Sequence, residues 1–225
     1  MAIEDRTKIL LGPNYEKMGK IKVSIAGIGG VGSIIPLILA RTGVKKFVLV
    51  DKDVVDSSNL NRQIAYDFQD INTRKIDAIS QKIEKISQNI EISTHFSRID
   101  DTFDFEIFKD SDFIVDAIDD LHAKVLLIKY ALTNNIKIIS SLGMGNRIDS
   151  TKIEITKLNK TTEDPLARKL RYLLKKEGLD ISKIDVCYSK EKPIVKDKVI
   201  ASIGTVPNAA GLAIVSEIVK KVCME

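Results

Sequence analysis

Residues 21–51, IKVSIAGIGGVGSIIPLILARTGVKKFVLVD, constrain the fold more than any other stretch of the chain. Ile21, Val23 and Ile25 alternate with Lys22 and Ser24 before Ala26 leads into Gly27, the pattern of a short strand beside a core. Gly27, Gly29 and Gly32 then fit G-x-G-x-x-G. In that pattern the first glycine permits a tight turn, the second lets backbone approach a phosphate, and the third seats a helix close to the strand. A helix beginning near Gly30 would aim unpaired N–H groups and its positive dipole end at such a phosphate. Residues 47–50 form a second apolar strand, and Asp51 follows Gly32 by about 20 residues, where a carboxylate can accept the hydroxyls of a ribose. Strand, glycine turn, helix and acid in this order predict nucleotide binding.

The rest of the composition agrees with a fold of this kind. A chain of 225 residues holds one sizeable α/β domain, and 44% hydrophobic with 29% charged residues is the balance of a folded globular protein. Tryptophan is absent and aromatics are 5%, so the core rests on Ile, Leu and Val, as in a buried parallel sheet. Residues 1–8 are polar and charged and show no signal-peptide pattern, and no apolar run is long enough to span a bilayer. Cys187 and Cys223 lie far apart with no C-x-x-C pair, which argues against a structural zinc site and suits a cytoplasmic location. The net charge of +4 allows a nucleic-acid partner without demanding one.

Read in order, residues 1–20 are an N-terminal arm carrying Arg6, with a short helix over 15–18. After Asp51 comes DKDVVDSSNLNRQ, a polar crossover loop leaving the carboxyl end of a strand, where open α/β sheets bind ligands. Asp51, Asp53 and Asp56 charge this loop negatively, and Asn59, Asn61, Arg62 and Gln63 supply donors. Ile76, Ile79, Ile83 and Ile86 predict a helix over 73–89 with Asn72 as its cap. Lys75 falls in its first turn, unfavourable to the helix dipole unless an anion lies nearby.

A third strand is expected over 90–96, a short helix over 103–108, and a fourth strand over 112–117. At its end stand Asp116, Asp119 and Asp120, where a nucleotide's Mg²⁺ would relieve their repulsion, or where one of them caps the next helix. That helix spans 121–134 and a fifth strand 136–140. From 152 to 158 an alternating KIEITKL ends the βα rhythm, which suggests a second, smaller lobe or an antiparallel extension. A helix over 163–177 buries Leu166, Leu170, Leu173 and Leu174 and covers its other faces with Arg168, Lys169, Arg171, Lys175 and Lys176. That basic face is either solvated or phosphate-tracking. Short strands over 186–188 and 199–203 and an apolar helix over 206–222, a core or dimer contact, complete the chain. The expectation is therefore an α/β fold: a Rossmann-like, mostly parallel sheet with helices on both faces and a smaller C-terminal antiparallel and helical extension. Its parts are the arm 1–20, a nucleotide-binding core 21–145 and an extension 146–225, within one domain.

As an ordered set, GIGGVGS, ARTG, VDKDVV, SNLNRQ, Lys75 and DAID resemble the adenylating domain shared by ubiquitin-activating enzymes and the bacterial molybdopterin- and thiamin-pathway activators. ITKLNKTTEDPLARKLR and VCYSKEKP look like the tRNA threonylcarbamoyladenosine dehydratase branch, and GTVPNAAG is similar to the family's glycine-rich end. The resemblance implies an ATP- and Mg²⁺-dependent enzyme that adenylates the carboxylate of threonylcarbamoyladenosine in tRNA and lets it cyclise.

It further implies that Gly29 and Gly32, with Gly27 and Gly30, lie against the phosphates and that Asp51 holds the ribose, with Asp53, Asn59 and Gln63 around the nucleotide. Asn61, Arg62 and Lys75 would bind the triphosphate, Asp119 the Mg²⁺, and Arg6 would reach into the site of a homodimer partner. A monovalent cation and a sulfur-transfer partner protein are left open. The paired zinc cysteines of many relatives are absent, and residues 188–207 are shorter than in the dehydratase branch. Two other readings stand beside this one: adenylation of the C-terminus of a ubiquitin-like or sulfur-carrier protein, and a nucleotide-binding partner in a sulfur relay. A dehydrogenase would share the glycines and the ribose acid but has no use for Arg62, Lys75 and Asp119 around a triphosphate.

Overall fold

In a computed structural model, which describes residues 3–87, 89–195 and 200–224, seven strands form one sheet in the order β3-β2-β1-β4-β5-β7-β6. The strands are β1 (Lys22–Ala26), β2 (Lys46–Asp51), β3 (Glu91–Phe96), β4 (Phe113–Asp116), β5 (Lys137–Ser141), β6 (Ile153–Lys157) and β7 (Asp185–Ser189). All neighbours are parallel except β6 and β7, which pair antiparallel at one edge. The helices are α1 (Asp5–Leu11), α2 (Asn14–Lys20), α3 (Ile34–Thr42), α4 (Lys75–Glu84), α5 (Leu121–Thr133), α6 (Pro165–Lys176) and α7 (Thr205–Met224).

Alternation along the strands decides which helices cover which face. Val23, Ile25, Leu49 and Val115 pack with residues of α2, α3, α4 and α7. Their neighbours Ala26, Val48, Val50 and Ile114 face the other way, onto α5 and α6. Both faces of the central strands are thus buried, which is why these strands read as near-continuous apolar runs. The chain leaves β1 toward β2 and β3 on one side and returns to β4 on the other. That reversal opens a crevice outside the carboxyl ends of β1 and β4, the binding place of sheets of this type.

Several sequence expectations shift. No separate lobe exists among the described residues: β7 pairs with β5 and carries β6 into the same sheet, so the antiparallel extension is the form realised. Helix α3 begins at Ile34 rather than near Gly30, because a turn closed by the Ser33 N–H on the Gly29 carbonyl precedes it. Helix α4 begins at Lys75, and Asn72 is not its cap. Asn72 lies in the left-handed region at φ 67°, and residues 72–74 instead pin the crossover loop through Asn72 N–H to Val55 O and Val55 N–H to Thr73 O. Residues 105–108 form a single 3₁₀ turn. Of the strand expected over 199–203, Val199 lies outside the described residues. Residues 200–203 form no strand, since Ala201 bonds both ways to Asn146 instead.

Candidate active site

A cleft of about 320 Å³ opens at the crevice beyond β1, β2 and β4, within the size range of small-molecule sites. Its floor is the glycine turn. Gly27 sits at φ +89°, and a Cβ there would lie 2.6 Å from the Ala117 carbonyl oxygen, so the turn and the approach of β4 both require glycine. Gly32 does not line the cleft; a Cβ on it would collide with the Gly27 carbonyl oxygen, and its place is one of packing. Gly29 is the reverse case, since a Cβ there meets nothing within 4 Å and the backbone lies open to a ligand. Gly30 also lines the cleft, backed by Pro207 and the stem of Arg62. Tyr66, which the sequence reading passed over, holds this turn from below: its buried hydroxyl donates to the Ile28 carbonyl at 2.8 Å, and burial pushes its phenol far up.

Asp51 ends β2 at the cleft wall and is 9% exposed. Its two oxygens accept the backbone N–H groups of Ile28 at 2.6 Å and Asp53 at 2.8 Å. Burial raises its pKa, and the hydrogen bond from Ile28 and the charge of Lys75 act against that rise. Each carboxylate oxygen keeps a second lone pair for a ligand hydroxyl. Lys75, the first residue of α4, is 5% exposed and places Nζ 3.1 Å from Asp53 Oδ2 on the cleft. A cation buried at a helix N-terminus opposes the dipole, so an anion in this cleft would be strongly favoured.

From the crossover loop, Asn59, Arg62 and Gln63 line the cleft and Asn61 does not. Asn59 accepts the Asp56 N–H in a reciprocal cap at the start of the loop's 3₁₀ turn. Asn61 donates to the Ser202 carbonyl at 2.9 Å and accepts from Arg62 at 2.8 Å, so it braces Arg62. Gln63 is 3% exposed, and its buried Oε1 has no hydrogen-bond partner among the described residues.

The acids after β4 separate into three roles. Asp116 is fully buried, ion-paired to Lys124 at 3.0 Å and accepting from Ser140 at 2.5 Å. Asp120 caps α5 through the N–H groups of His122 and Ala123 and pairs with Arg98 at 2.8 Å, which together hold its carboxyl below the usual range. Among the described residues, Asp119 alone of the three presents an exposed side chain to the cleft without a cap or ion pair of its own. The expected mutual repulsion is therefore removed by the protein itself, and one acid is left for a ligand. Arg98, just past β3, and Lys124 were missed because nothing local in their sequence marks them; tertiary pairing places them.

Arg6 stands exposed on α1 and is not part of this cleft. Cys187 is fully buried in β7, and burial pushes its thiol up to about 12, so it is not a thiolate nucleophile. Cys223 lies in the final turn of α7. Among the described residues no cluster of three or more His, Cys, Asp or Glu side chains is placed to hold a metal, and no helix is long and apolar enough to cross a membrane.

The chain matches the model of the ThiF family over residues 6–225. The tRNA threonylcarbamoyladenosine dehydratase of Bacillus subtilis (strain 168) is 33% identical over 192 residues, covering 84% of this chain and 75% of that protein. The protein of the same name from Escherichia coli (strain K12) is 36% identical over 157 residues, covering 69% of this chain and 58% of its relative. The match therefore spans three quarters of the first relative and less than two thirds of the second. The crystal structure of E. coli tRNA N6-threonylcarbamoyladenosine dehydratase in complex with AMP superposes with a TM-score of 0.92 at 29% identity, covering 98% of this chain and 93% of the other. Its complex with ATP gives 0.91 at 30% identity, with 98% and 93% covered.

Proposed function

We propose that this chain, which belongs to the ThiF family, is an ATP-dependent enzyme that adenylates the carboxylate of threonylcarbamoyladenosine in tRNA and lets it cyclise with release of AMP. The observation that carries this reading is the convergence on one cleft of buried Lys75, Arg62, the open backbone at Gly29 and the exposed Asp119. The relative of like fold that was crystallised with ATP and with AMP supports placing the adenine nucleotide there.

In this scheme Asp51 receives the ribose hydroxyls, and the Gly29 and Gly30 backbone with Arg62 and Lys75 receives the phosphates. Asn61 acts through Arg62, as its hydrogen bond to that side chain suggests. Gln63 lines the cleft beside the nucleotide. Asp119 would hold Mg²⁺ together with phosphate oxygens, the usual arrangement where one or two carboxylates suffice; the ion would supply neutralisation of phosphate charge.

The substrate carboxylate oxygen bonds to the α-phosphorus and the bond to pyrophosphate breaks. Negative charge grows on the equatorial and leaving oxygens, where donors aimed beforehand stabilise it without proton transfer. Loss of one such donor costs about 3 kcal/mol of barrier, or about a hundredfold in rate. The neighbouring urea oxygen then bonds to the acyl carbon, AMP leaves and a urea N–H proton passes to solvent, so no cysteine nucleophile is required.

The division into arm, nucleotide-binding core and extension belongs to the same proposal, as do a cytoplasmic location beside the tRNA and a homodimer in which Arg6 completes the partner's site. Docking of a sulfur-transfer protein rests on the family resemblance only. The test is mass spectrometry of tRNA nucleosides after incubation with the protein, ATP and Mg²⁺. The proposal expects threonylcarbamoyladenosine to lose the mass of one water; an unchanged nucleoside with active, folded protein would refute it.

A further inference from the structure

Helix α6 carries a surface that the nucleotide cleft does not use. Arg168, Lys169, Tyr172, Lys175 and Lys176 are all exposed, Tyr172 by 68%. Arg168, Tyr172 and Lys176 follow at intervals of four, and Lys169 and Lys175 each stand three residues from Tyr172, so the five side chains share one side of the helix. Among the described residues none of the four cations makes an ion pair. Of the other bases nearby, Lys129 pairs with Glu177, and Arg171 turns inward to hydrogen-bond Thr161. No acid stands between Pro165 and Lys176 to balance these four cations.

Two further features give the patch direction. An apolar groove runs between α6 and the start of α5, lined by Leu121, Arg168, Lys169, Tyr172 and Leu173. Leu121 is the residue directly after Asp119 and Asp120, both of which line the nucleotide cleft. The patch therefore begins at the rim of the cleft and leads away from it along α6. Cations spaced along a helix with an exposed aromatic ring and an apolar groove at their centre match single-stranded nucleic acid, whose phosphates seek charge and whose bases seek a flat apolar surface.

We propose that the outer face of α6 is the surface on which tRNA lies, with Arg168, Lys169, Lys175 and Lys176 on phosphates and Tyr172 stacked on a base beside the one being modified. This rests on the tRNA-directed reading above and adds to it the surface that holds the substrate. Tyr172 is here a binding residue, remote from the bond-making step.

The experiment compares wild-type protein with the quadruple variant Arg168→Gln/Lys169→Gln/Lys175→Gln/Lys176→Gln, and with Tyr172→Ala and Tyr172→Phe. Binding of tRNA bearing threonylcarbamoyladenosine is followed by fluorescence anisotropy across a salt series, alongside KM and kcat for dehydration, ATP affinity and melting temperature. The quadruple variant should raise KM for tRNA at least tenfold and flatten the log–log salt dependence of binding by about three, since each single-strand phosphate contact contributes about 0.7. ATP affinity should stay unchanged. Tyr172→Ala should weaken tRNA binding with the salt slope retained, and Tyr172→Phe should restore it. A wild-type protein that converts tRNA, with variants of equal KM and equal slope, overturns the surface and leaves the reaction standing. A wild-type protein that neither binds nor converts the modified tRNA overturns both.

Discussion

At Gly29 a side-chain carbon would point into open space, whereas at Gly32 it would strike the Gly27 carbonyl oxygen. The two glycines of one motif therefore fail in different ways. Gly32→Ala is expected to destabilise the fold by about 3 kcal/mol, through overpacking that neither strand nor helix can relieve. Gly29→Ala should leave the melting temperature within a degree or two and weaken ATP binding, because the methyl group occupies the phosphate's approach. Thermal melts and nucleotide titration of both variants check this, and equal melting behaviour would show that the third glycine is not a packing residue. At this scale the lining of the cleft was legible where it follows from local spacing: Gly27, Asp51, Arg62 and Lys75 all line it. It was not legible where a neighbour distant in sequence decides the role. Asn61 turns away to Ser202, Asp116 is consumed by Lys124, and Tyr66 supports the glycine turn, and none of these pairings has a local signature.

Among the α-helices of the described residues, α1 is the one without a buried residue. Ile9 and Leu10 are 79% and 82% exposed on it, and Arg6 shares the same two turns. An amphipathic helix ordinarily stabilises itself by packing its apolar side. The proposed homodimer would give α1 that cover and would carry Arg6 to the neighbouring cleft. Arg6→Ala and Lys75→Ala, each about a hundredfold slower alone, should then regain part of the activity when co-purified as a mixed dimer, because one of its two sites has both side chains. Heterodimers that form without any recovery would rule out the shared site. Element types were readable from apolar periodicity, and most boundaries moved by only a few residues. The larger departures have tertiary causes: α4 starts late because residues 72–74 hold the crossover loop, and 200–203 stay out of the sheet because Ala201 is tied to Asn146.

For the whole molecule, the sheet order places every proposed nucleotide contact except Arg6 around one crevice, and the antiparallel pair β6–β7 extends the sheet beside it. The parallel core could be expected from the βα rhythm, whereas the joining of β7 to β5 could not, since a parallel pairing across that interval leaves no mark in the intervening residues. What the molecule is for depends on whether this crevice joins an acid to AMP. The direct measurement is exchange of labelled pyrophosphate into ATP by the purified protein with Mg²⁺ and tRNA bearing threonylcarbamoyladenosine. Label should enter ATP only when the carboxylate-bearing tRNA is present, and it should fall about a hundredfold for Lys75→Ala. No exchange under those conditions, together with tight binding of NAD, would contradict the account.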